Sequence, residues 1–552
     1  MGIKRIAFAL GLILMLWLMG SVFVAQTSVC GNCLSYDAAH RLKSAPQPAV
    51  RQLTDQEKRG KFIYLRGGSP SGREITCYLG DGTTEVPAAA MLCANCHGFD
   101  GRGNPEGGVV PSDITWEALT KSYGVTHSSG RKHPAYTERA VGMAVTKGID
   151  PAGNKLPDTM PRFWMSPEDL ADLVAYVKRL GKDQDPGLTE TSIKVGTIVA
   201  GQGPMAEMGQ AVKAALGAYF EEVNAQGGIY NRKIELCTAE APADPKEARS
   251  NAERFIDAQQ VFAMAGAFIA GADKEIASLV EEKEVVLVGP STLYPEIGFP
   301  LNRYTFYLFS GLKEEAGALV NFIGEKLQKQ NPKFAIVYPD IGRPVGVSEA
   351  IEEHANRRGY KSVAKISYTR AQFDAGQLAK KLSDGGAEAV FFLGSGSEEL
   401  ALMQAAEKLK WTPYFLLPGS LANKEILEAP LGFKDKIFLS FPTLPSDRTR
   451  DGVTEFLALA EKHKLPTRQL GAQLSAYCAA KILVEGLKLT GKELSRERLI
   501  RTLEGLYNFD TGLSPRVSYG PNRRIGALGA YIVTIDPEKK QFVTASGWIT
   551  PE

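Results

Sequence analysis

The sequence predicts a multidomain chain in which a small all-α domain precedes a larger two-lobed α/β region. Residues 55–182 combine helical stretches with loops rich in glycine and proline. From residue 193 onward, short strand patterns alternate with helical ones, and the alternation begins again after about residue 310. Two such series predict two parallel sheets, each covered by helices. A chain of 552 residues also exceeds what one hydrophobic core normally organises.

The composition is that of an ordinary globular protein and does not indicate a nucleic-acid partner. Hydrophobic residues make up 44% and charged residues 23% of the chain, and the formal net charge is +2. Proteins that bind nucleic acid normally carry a strong positive charge, so we expect no nucleic-acid partner. Seven cysteines in 552 residues are too few for a disulfide-stapled scaffold.

The N-terminus has the pattern of an export signal. Lys4 and Arg5 precede an uncharged apolar run over residues 6–26. Residues 1–28 are therefore a signal peptide or, because the run can span a bilayer, an uncleaved N-terminal membrane anchor. The protein is expected in the periplasm, soluble or anchored to the inner membrane. No other stretch of the sequence is long and apolar enough for a permease.

The strongest signal in the sequence is Cys93-Ala94-Asn95-Cys96-His97. Two cysteines separated by two residues, with a histidine directly after the second, form the attachment pattern of c-type haem. Both thiols bond to the haem vinyl groups, and the imidazole binds the iron. The alternative is a structural disulfide or a zinc site, but zinc would need a second ligand pair at compatible spacing. We therefore expect one covalent haem c, held by Cys93, Cys96 and His97.

The cysteines upstream of this motif have no assigned partners. Cys30 and Cys33 form a second CxxC pair in a linker over residues 29–54, but no histidine follows Cys33. We expect a local disulfide or unconstrained thiols there, with a redox-active pair as the alternative. Cys77 is a lone thiol whose partner the sequence does not indicate.

The second axial ligand is expected from a loop before the last helix of the first domain. Ser166, followed by Pro167 and two acids, has the pattern of a helix N-terminus. Met160 precedes this helix in a proline-containing loop, and its thioether would raise the reduction potential relative to a second histidine. The competing side chains are Met143, Met165, His127 and His133, of which both histidines are expected in surface loops.

Residues 55–182 resemble a class I cytochrome c. The resemblance depends on the Cys93–His97 motif, the later Met160-Pro161 loop and a C-terminal helix that ends in Tyr176-Val177-Lys178-Arg179-Leu180. It implies a low-spin haem that exchanges electrons with a redox partner protein. It also implies that His97 and Met160 are the axial ligands.

The α/β region begins at residue 193, after a polar linker over residues 183–192. A helix over residues 208–223 has an apolar stripe and ends before Gly227-Gly228. The first lobe is expected to comprise about residues 193–310 with a helical return over about 440–505. The second lobe is expected to comprise about residues 311–439 with the C-terminal strands.

From about residue 193 to the end, the chain resembles the periplasmic solute-binding proteins of the branched-chain amino acid type. The matching pieces are Phe220–Ile229, Arg232–Leu236, Asp244-Pro245, Gly289–Thr292, Phe373-Asp374, Gly386–Val390 and Ala476-Tyr477. The resemblance implies a type I fold with two lobes, joined by hinge strands, that close on a small organic solute. It also implies that an ABC permease can be a partner.

Polar residues that follow the strands mark the expected solute cleft. Ligands of parallel α/β sheets lie beyond the carboxyl ends of the strands, where loops and helix N-termini present free backbone N–H groups. The alternative for each such residue is an ordinary place in a surface loop. The rule selects Gln202, Ser291, Thr292 and Tyr294 from the first lobe and Ser395 from the second, with Met205, residues 268–271, Asp340 and Ser420 as further candidates.

The expected solute is not a typical α-amino acid. Such a ligand needs hydroxyls or amides for its carboxylate and an acid for its ammonium group, because an unpaired buried charge is very unfavourable. By comparison with amino-acid-binding members of the family, the corresponding positions hold Ala270, Leu293 and Gly419. The hypothesis is an aromatic, amide-like or other small organic molecule held by hydroxyls and an apolar wall.

Three functions are compatible with these patterns. The leading hypothesis is an exported cytochrome whose electron transfer accompanies or reports the capture of a solute. One alternative is the solute-binding component of an ABC importer, with the haem as an independent electron carrier. The other is an electron-accepting subunit for a periplasmic dehydrogenase. The chain is not expected to be an enzyme itself, because the sequence shows no metal box, nucleophile constellation or flavin signature.

Overall fold

A computed structural model describes residues 53–551, except positions 81, 106, 128, 243, 269, 270, 329, 330, 341 and 343. The export signal, Cys30 and Cys33 lie outside the described residues, as does Ala270. The chain divides into two units between Pro186 and Gly187. Within the described part of the chain, no helix has both the length and the apolarity that a membrane crossing requires.

The described residues of the first unit contain five α-helices around one apolar core. They are α1 (Asp55–Arg66), α2 (Cys93–His97), α3 (Trp116–Leu119), α4 (Glu138–Lys147) and α5 (Pro167–Val177). Helix α1 begins with a capping box between Thr54 and Glu57. Helix α5 begins where the sequence predicts, with Ser166 as its N-cap and Pro167 in its first turn.

Helices α1 and α5 cross at short range. A Cβ atom on Gly60 would lie 1.9 Å from the carbonyl oxygen of Asp172, so this crossing requires glycine. Arg59 donates two hydrogen bonds to the Asp172 carboxylate, at 2.6 and 3.0 Å. The rings of Tyr64 and Tyr176 meet edge to face, with centroids 5.6 Å apart. These contacts hold the two terminal helices of the unit together.

The first unit is a small helical domain, as the sequence predicts, but it also contains short strands. These are β1 (Thr76–Leu79), β2 (Thr84–Pro87), β3 (Val125–Thr126), β4 (Lys132–His133) and β5 (Arg162–Trp164). Three of them form an antiparallel sheet in the order β2-β1-β5. The sequence predicts helical stretches before Cys93, of which α1 is one, and the strands between Thr76 and Pro87 are an addition to that prediction. Gly80 and Gly82 follow Leu79 and favour the turn between β1 and β2.

The second unit alternates strands and helices, which confirms the predicted two-lobed α/β architecture. The first series contains β6 (Ser192–Ala200), α6 (Ala206–Ala225), β7 (Lys233–Ala241), α7 (Pro245–Gln259), β8 (Ala263–Ala265), α8 (Asp273–Glu282), β9 (Val286–Val288) and β10 (Thr305–Phe309). The second contains α9 (Leu312–Leu327), β11 (Phe334–Pro339), α10 (Pro344–Arg357), β12 (Ser362–Tyr368), α11 (Ala375–Asp384), β13 (Ala389–Phe392), α12 (Gly396–Lys408), β14 (Tyr414–Pro418) and β15 (Ile437–Phe441).

The chain then returns to the first lobe before it ends in the second. The return contains α13 (Arg450–Lys462), α14 (Leu470–Thr490), α15 (Arg496–Glu504) and β16 (Ile525–Ala527), and β17 (Ala530–Asp536) and β18 (Gln541–Ile549) follow. The first sheet has the order β16-β10-β9-β8-β6-β7 and is parallel throughout. The second has the order β12-β11-β13-β14-β15-β17-β18, with antiparallel pairing in its last two steps.

Two strands differ from the sequence expectation. Strand β10 was not predicted, although it completes the first lobe. Strand β16 was expected in the second lobe with the other C-terminal strands, but it pairs with β10 through Tyr307 opposite Ile525 and Phe309 opposite Ala527. A strand of three residues is too short to show a periodicity, so its sheet is decided only by the long-range pairing. Within the described residues, the chain thus passes between the lobes after β10, after β15 and after β16.

Candidate functional site

Helix α2 carries three of the predicted haem residues into one cavity. The cavity has a volume of about 510 Å³, and Cys93, Cys96, His97 and Met160 all line it. Its volume lies in the range of sites that enclose a small ligand. Most of its wall is apolar, which suits a large flat cofactor, and includes Ile114, Leu119, Val141, Val145, Leu156, Phe163, Leu173 and Val177.

The imidazole of His97 is oriented by a main-chain oxygen. Its Nδ1 atom lies 3.0 Å from the carbonyl oxygen of Ser112, so Nδ1 carries the hydrogen and donates to that oxygen. Burial lowers the pKa of His97, although the Ser112 carbonyl acts in the opposite direction. The ring is therefore neutral, and the lone pair stays on Nε2. This is the tautomer that binds a metal through Nε2.

The two cysteines of α2 are free thiols in the structure. Burial raises the pKa of Cys93 to about 12, so its sulfur is protonated at neutral pH. A structural zinc site would need further ligands beside these two cysteines, and the described residues contain no group of three or more histidine, cysteine or acidic side chains placed to hold a metal ion. Cys77 is a buried thiol on β1.

Met160 lies on a loop that hydrogen bonds hold in place. Its backbone N–H donates to the carbonyl oxygen of Pro157 at 3.1 Å. The guanidinium of Arg162 donates to the carbonyl oxygen of Met160, and at 2.8 Å to that of Leu156. Of the competing methionines, Met143 is 39% exposed and Met165 packs on the edge of the core. Met160 lines the cavity and neither of these does.

His133 is buried and His127 is half-buried, although the sequence predicts both in surface loops. Both line the cavity, and His133 is only 6% exposed. Their Nε2 atoms lie 2.9 Å apart, and Nδ1 of His133 lies 2.8 Å from the carbonyl oxygen of Pro134. Because these nitrogens already have partners, the rings as placed are poorer iron ligands than Met160. The sequence does not predict this position, because loop residues at a cavity wall have no hydrophobic periodicity that would mark them as buried.

The residues of this cavity fit a haem. The donors include an imidazole with a free Nε2, two thiols on the same short helix and a thioether on an anchored loop, and the walls are apolar. When bound, a haem would supply one-electron transfer. Cys93 and Cys96 would hold it to the chain, and His97 and Met160 would bind its iron.

In the second unit, the predicted solute residues lie in the loops after the strands. Gln202 follows β6, and Ser291, Thr292 and Tyr294 follow β9. The hydroxyl oxygen of Thr292 accepts a hydrogen bond from the N–H of Tyr294 at 2.9 Å. The N–H of Ser291 donates to the carbonyl oxygen of Ala267 at 2.9 Å. These bonds fix the loop after β9.

The predicted residues of the second lobe are bonded within their own lobe. Ser395 caps α12, and its hydroxyl donates to the Glu398 carboxylate at 3.1 Å. Tyr368 donates to the same carboxylate oxygen at 2.9 Å. The hydroxyl of Ser420 donates to Glu315 at 2.8 Å. In this conformation the hydroxyls of Ser395 and Ser420 are therefore committed to acids of their own lobe.

Glu315 is a buried acid that the sequence analysis did not select. Its side chain is fully buried, and its second oxygen lies 3.5 Å from the hydroxyl of Ser440. Burial raises its pKa to about 8, while the bonds from Ser420 and Ser440 act in the opposite direction. The pair Glu314-Glu315 at the start of α9 looks like an ordinary acidic first turn. Both acids are buried in the structure, and no sequence signal distinguishes them from an exposed first turn.

The position of Gly419 cannot hold a larger side chain. A Cβ atom there would lie 2.5 Å from the ring of Phe441 and 2.5 Å from the carbonyl oxygen of Ser440. An acid at this position would therefore force β14 and β15 apart. Leu293 is 40% exposed and offers no polar group.

Comparison with family models gives a match for each unit. Residues 192–541 match the periplasmic binding protein model. The chain belongs to this family. Residues 87–181 match the cytochrome c model, so the chain also carries a cytochrome c domain, which implies a haem c cofactor. Membership of the binding protein family implies a periplasmic location and the binding of small molecules.

Relatives of this periplasmic binding protein are binding proteins too. An "Amino acid binding protein" of Pseudomonas aeruginosa is 24% identical over 37% of this chain, and the match spans 54% of that relative's length. "Leu/Ile/Val-binding protein homolog 7" of Brucella abortus is 24% identical over 53% of this chain and 76% of the relative. The chain therefore spans only about half of one relative and about three quarters of the other.

Solved structures show the same fold. A branched-chain amino acid ABC transporter protein from Thermus thermophilus with bound valine has a TM-score of 0.52 and 17% identity, over 66% of this chain and 97% of that one. A substrate-binding ABC transporter protein from Aeropyrum pernix has a TM-score of 0.52 and 16% identity, over 65% and 96% of the two chains. At these identities the likeness concerns the fold alone.

Proposed function

We propose that this chain is an exported electron carrier with one covalent haem c, joined to a domain that binds a small organic solute. The observation that carries the first half is the cavity that Cys93, Cys96, His97 and Met160 share. The hydrogen bond from His97 to Ser112 leaves Nε2 of the imidazole for iron. A redox partner protein of the periplasm would give or take the electron.

The test of the haem proposal is covalent attachment. The full chain is produced in a host that ligates haem, and acid–acetone extraction is followed by a Soret spectrum of the protein. Wild type is expected to retain the Soret band, and the variant Cys93→Ala/Cys96→Ala is expected to lose it. A wild-type protein without extraction-resistant haem would contradict the proposal.

The solute of the second unit is proposed to be something other than a typical α-amino acid. Gly419 has no room for an acid that could pair with an ammonium group. Glu315, a fully buried acid of that lobe, is bonded to Ser420 and protonated near neutral pH. The solute would meet the apolar side chain of Leu293 and polar groups of the strand-end loops. Those polar residues are Gln202, Ser291, Thr292, Tyr294 and Ser395.

Calorimetric titration of the full chain tests this choice of solute. Leucine and valine are expected to give no heat of tight binding, whereas aromatic or amide-containing solutes are candidates for a positive result. Tight binding of leucine or valine would contradict the proposal. Ser291→Ala and Thr292→Ala are expected to weaken whichever solute binds, with the exposed Glu349→Gln as the control.

The two halves are proposed to act together, with electron transfer linked to solute capture. If a solute binds one redox state of the haem more tightly than the other, linkage requires that its binding also shifts the midpoint potential of the haem. A shift on addition of solute would support coupling. A constant potential would favour the alternative in which the domain serves an ABC importer and the haem acts independently, an alternative that membership of the binding protein family supports. Reduction of the haem only in the presence of an added dehydrogenase would support the second alternative, an electron-accepting subunit.

A further inference from the structure

The wall of the haem cavity contains a histidine pair, His127 and His133, whose donors and acceptors cannot all be matched when both rings are neutral. The two Nε2 atoms lie 2.9 Å apart, so one of them must donate and the other accept. Nη2 of Arg131, which can only donate, lies 2.9 Å from the same Nε2 of His127. Nδ1 of His133 lies 2.8 Å from the carbonyl oxygen of Pro134, so this Nδ1 carries a hydrogen.

When both rings are neutral, one of these contacts is repulsive. Because His133 carries its proton on Nδ1, its Nε2 has a lone pair, and His127 must protonate Nε2 to complete the pair. That proton then faces a donor of Arg131. If His127 carries its proton on Nδ1 instead, two lone pairs meet between the rings. One additional proton on Nε2 of His133 removes the repulsion. His127 then carries its own proton on Nδ1, and the lone pair of its Nε2 is shared by the two donors.

Burial and the cation Arg131 oppose that additional proton, whereas the carboxylate of Asp150 favours it. Arg131 is a cation, and it pairs with the buried carboxylate of Asp150 at 2.7 Å. Although burial acts to raise it, the pKa of Asp150 is held below its usual value by hydrogen bonds from Asn154 and Arg131, so this acid stays ionised. Burial, Arg131 and His133 together lower the pKa of His127. Other titratable or charged groups near the pair or on the cavity wall are Tyr136, Lys132, Lys121, Asp113, His97, Tyr64, Cys93 and Cys96.

Ser112 connects the histidine pair to His97, the expected iron ligand. The carbonyl oxygen of Ser112 accepts from Nδ1 of His97 at 3.0 Å. The hydroxyl oxygen of the same serine lies 3.5 Å from Nδ1 of His127. A change of charge at the iron would therefore act on the pair through a partly buried region, where electrostatic interactions are stronger than in bulk water.

We propose that the histidine pair takes up one proton when the haem iron is reduced, an inference that depends on the proposed haem. A one-electron donor protein supplies the electron, which converts Fe(III) to Fe(II) and adds one negative charge to the cavity. Nε2 of His133 takes a proton from solvent, and the ring becomes an imidazolium that donates to Nε2 of His127. The net charge of the cavity is then unchanged. Reoxidation returns the electron and releases the proton.

The test is potentiometric titration of the haem-loaded full chain between pH 5 and 9. A tenfold change in proton activity corresponds to 59 mV for a one-electron couple. The midpoint potential of wild type is expected to fall as pH rises, with a slope approaching that value over part of the range. His127→Gln/His133→Gln is expected to abolish the slope. His354→Gln, which alters a histidine of the second unit, is the control and should keep it.

Two results would overturn the inference. A potential independent of pH in wild type would show that no proton accompanies the electron. A slope that persists in His127→Gln/His133→Gln would place the proton on another group, such as a haem carboxylate. A chain without any covalent haem would instead contradict the proposed function, so the two failures are distinguishable.

A measurement on wild type alone keeps the inference testable if the double variant does not fold. The protein is reduced at an electrode in weakly buffered solution with a pH-indicator dye. Proton uptake is expected to approach one per electron in the middle of the pH range and to fall towards zero at both ends. The absence of uptake at every pH would overturn the inference.

Discussion

The Nδ1 atom of His97 lies 3.0 Å from the carbonyl oxygen of Ser112. This bond connects the attachment helix α2 to the loop that follows it and sets the tautomer of the imidazole. Because the acceptor is a main-chain oxygen, a substitution at position 112 does not remove it. The backbone therefore sets the orientation of His97, the expected iron ligand. Substitutions of the other side chains of the site can be tested without removing this bond.

Replacement of Met160 tests the second axial ligand. Met160→Leu is expected to keep the covalent haem but to lose the thioether, so the ferric haem should become high-spin and the midpoint potential should fall. Optical and EPR spectra with a redox titration measure both effects. Met143→Leu is the matched control, because Met143 is 39% exposed and does not line the cavity. Unchanged spectra in Met160→Leu would assign the ligand to another residue.

The cysteines of the first unit are expected to differ in function. Cys93→Ala should leave a haem held by one thioether, which shifts the pyridine haemochrome spectrum. Cys77→Ala should leave that spectrum unchanged, because the buried Cys77 only packs in the core, although stability should fall by about 1–2 kcal/mol. If Cys77→Ala alters the haemochrome spectrum, the assignment of Cys93 and Cys96 as the attachment pair is wrong.

Gly60→Ala tests the crossing of α1 and α5. The new Cβ would lie 1.9 Å from the carbonyl oxygen of Asp172, so the helices must separate. The expected loss of stability is about 1–3 kcal/mol, measured by denaturant unfolding followed at the Soret band. Gly217→Ala is the control, because the nearest atom outside its own helix is a leucine methyl carbon 3.9 Å away. It should leave the Soret transition unchanged.

Glu315 makes the stability of the second unit depend on pH. Its pKa rises from 4.5 to about 8 on folding, because burial disfavours the ionised form. The folded state thus binds more protons than the unfolded state between these values, and the free energy of unfolding decreases as pH rises from 4.5 to about 8. The part due to Glu315 is on the order of 4 kcal/mol.

Glu315→Gln measures that contribution. The amide keeps partners for Ser420 and Ser440 but cannot ionise, so the decrease in unfolding free energy between pH 5 and 8 should become smaller. Chemical denaturation at several pH values gives the comparison. The exposed Glu349→Gln should retain the wild-type dependence. A Glu315→Gln variant that loses as much stability with pH as wild type would show that this carboxyl ionises freely in the folded chain.

Sequence reasoning identified the features that consist of local patterns. The Cys93–His97 motif and the Ser166 N-cap lie within a few residues of the chain, and the strand-helix alternation repeats often enough to define two lobes. Strand β16 and the hairpin before Cys93 escaped this reasoning. Strand β16 depends on pairing with β10, which is remote in sequence, so no local pattern specifies it. The hairpin of β1 and β2 does have a local turn signal in Gly80 and Gly82, which sequence reasoning did not use.

The amino-acid sequence by itself determined the chemistry that each half of this protein can offer, because the attachment motif and the family patterns are written in consecutive residues. Only the tertiary structure decided which side chains meet. It brought His127 and His133 to the haem cavity, buried Glu315 against Ser420 and left no room at Gly419. Burial and hydrogen-bond partners depend on residues distant along the chain. These surroundings set the protonation state of a side chain and whether it can bind a cofactor or solute.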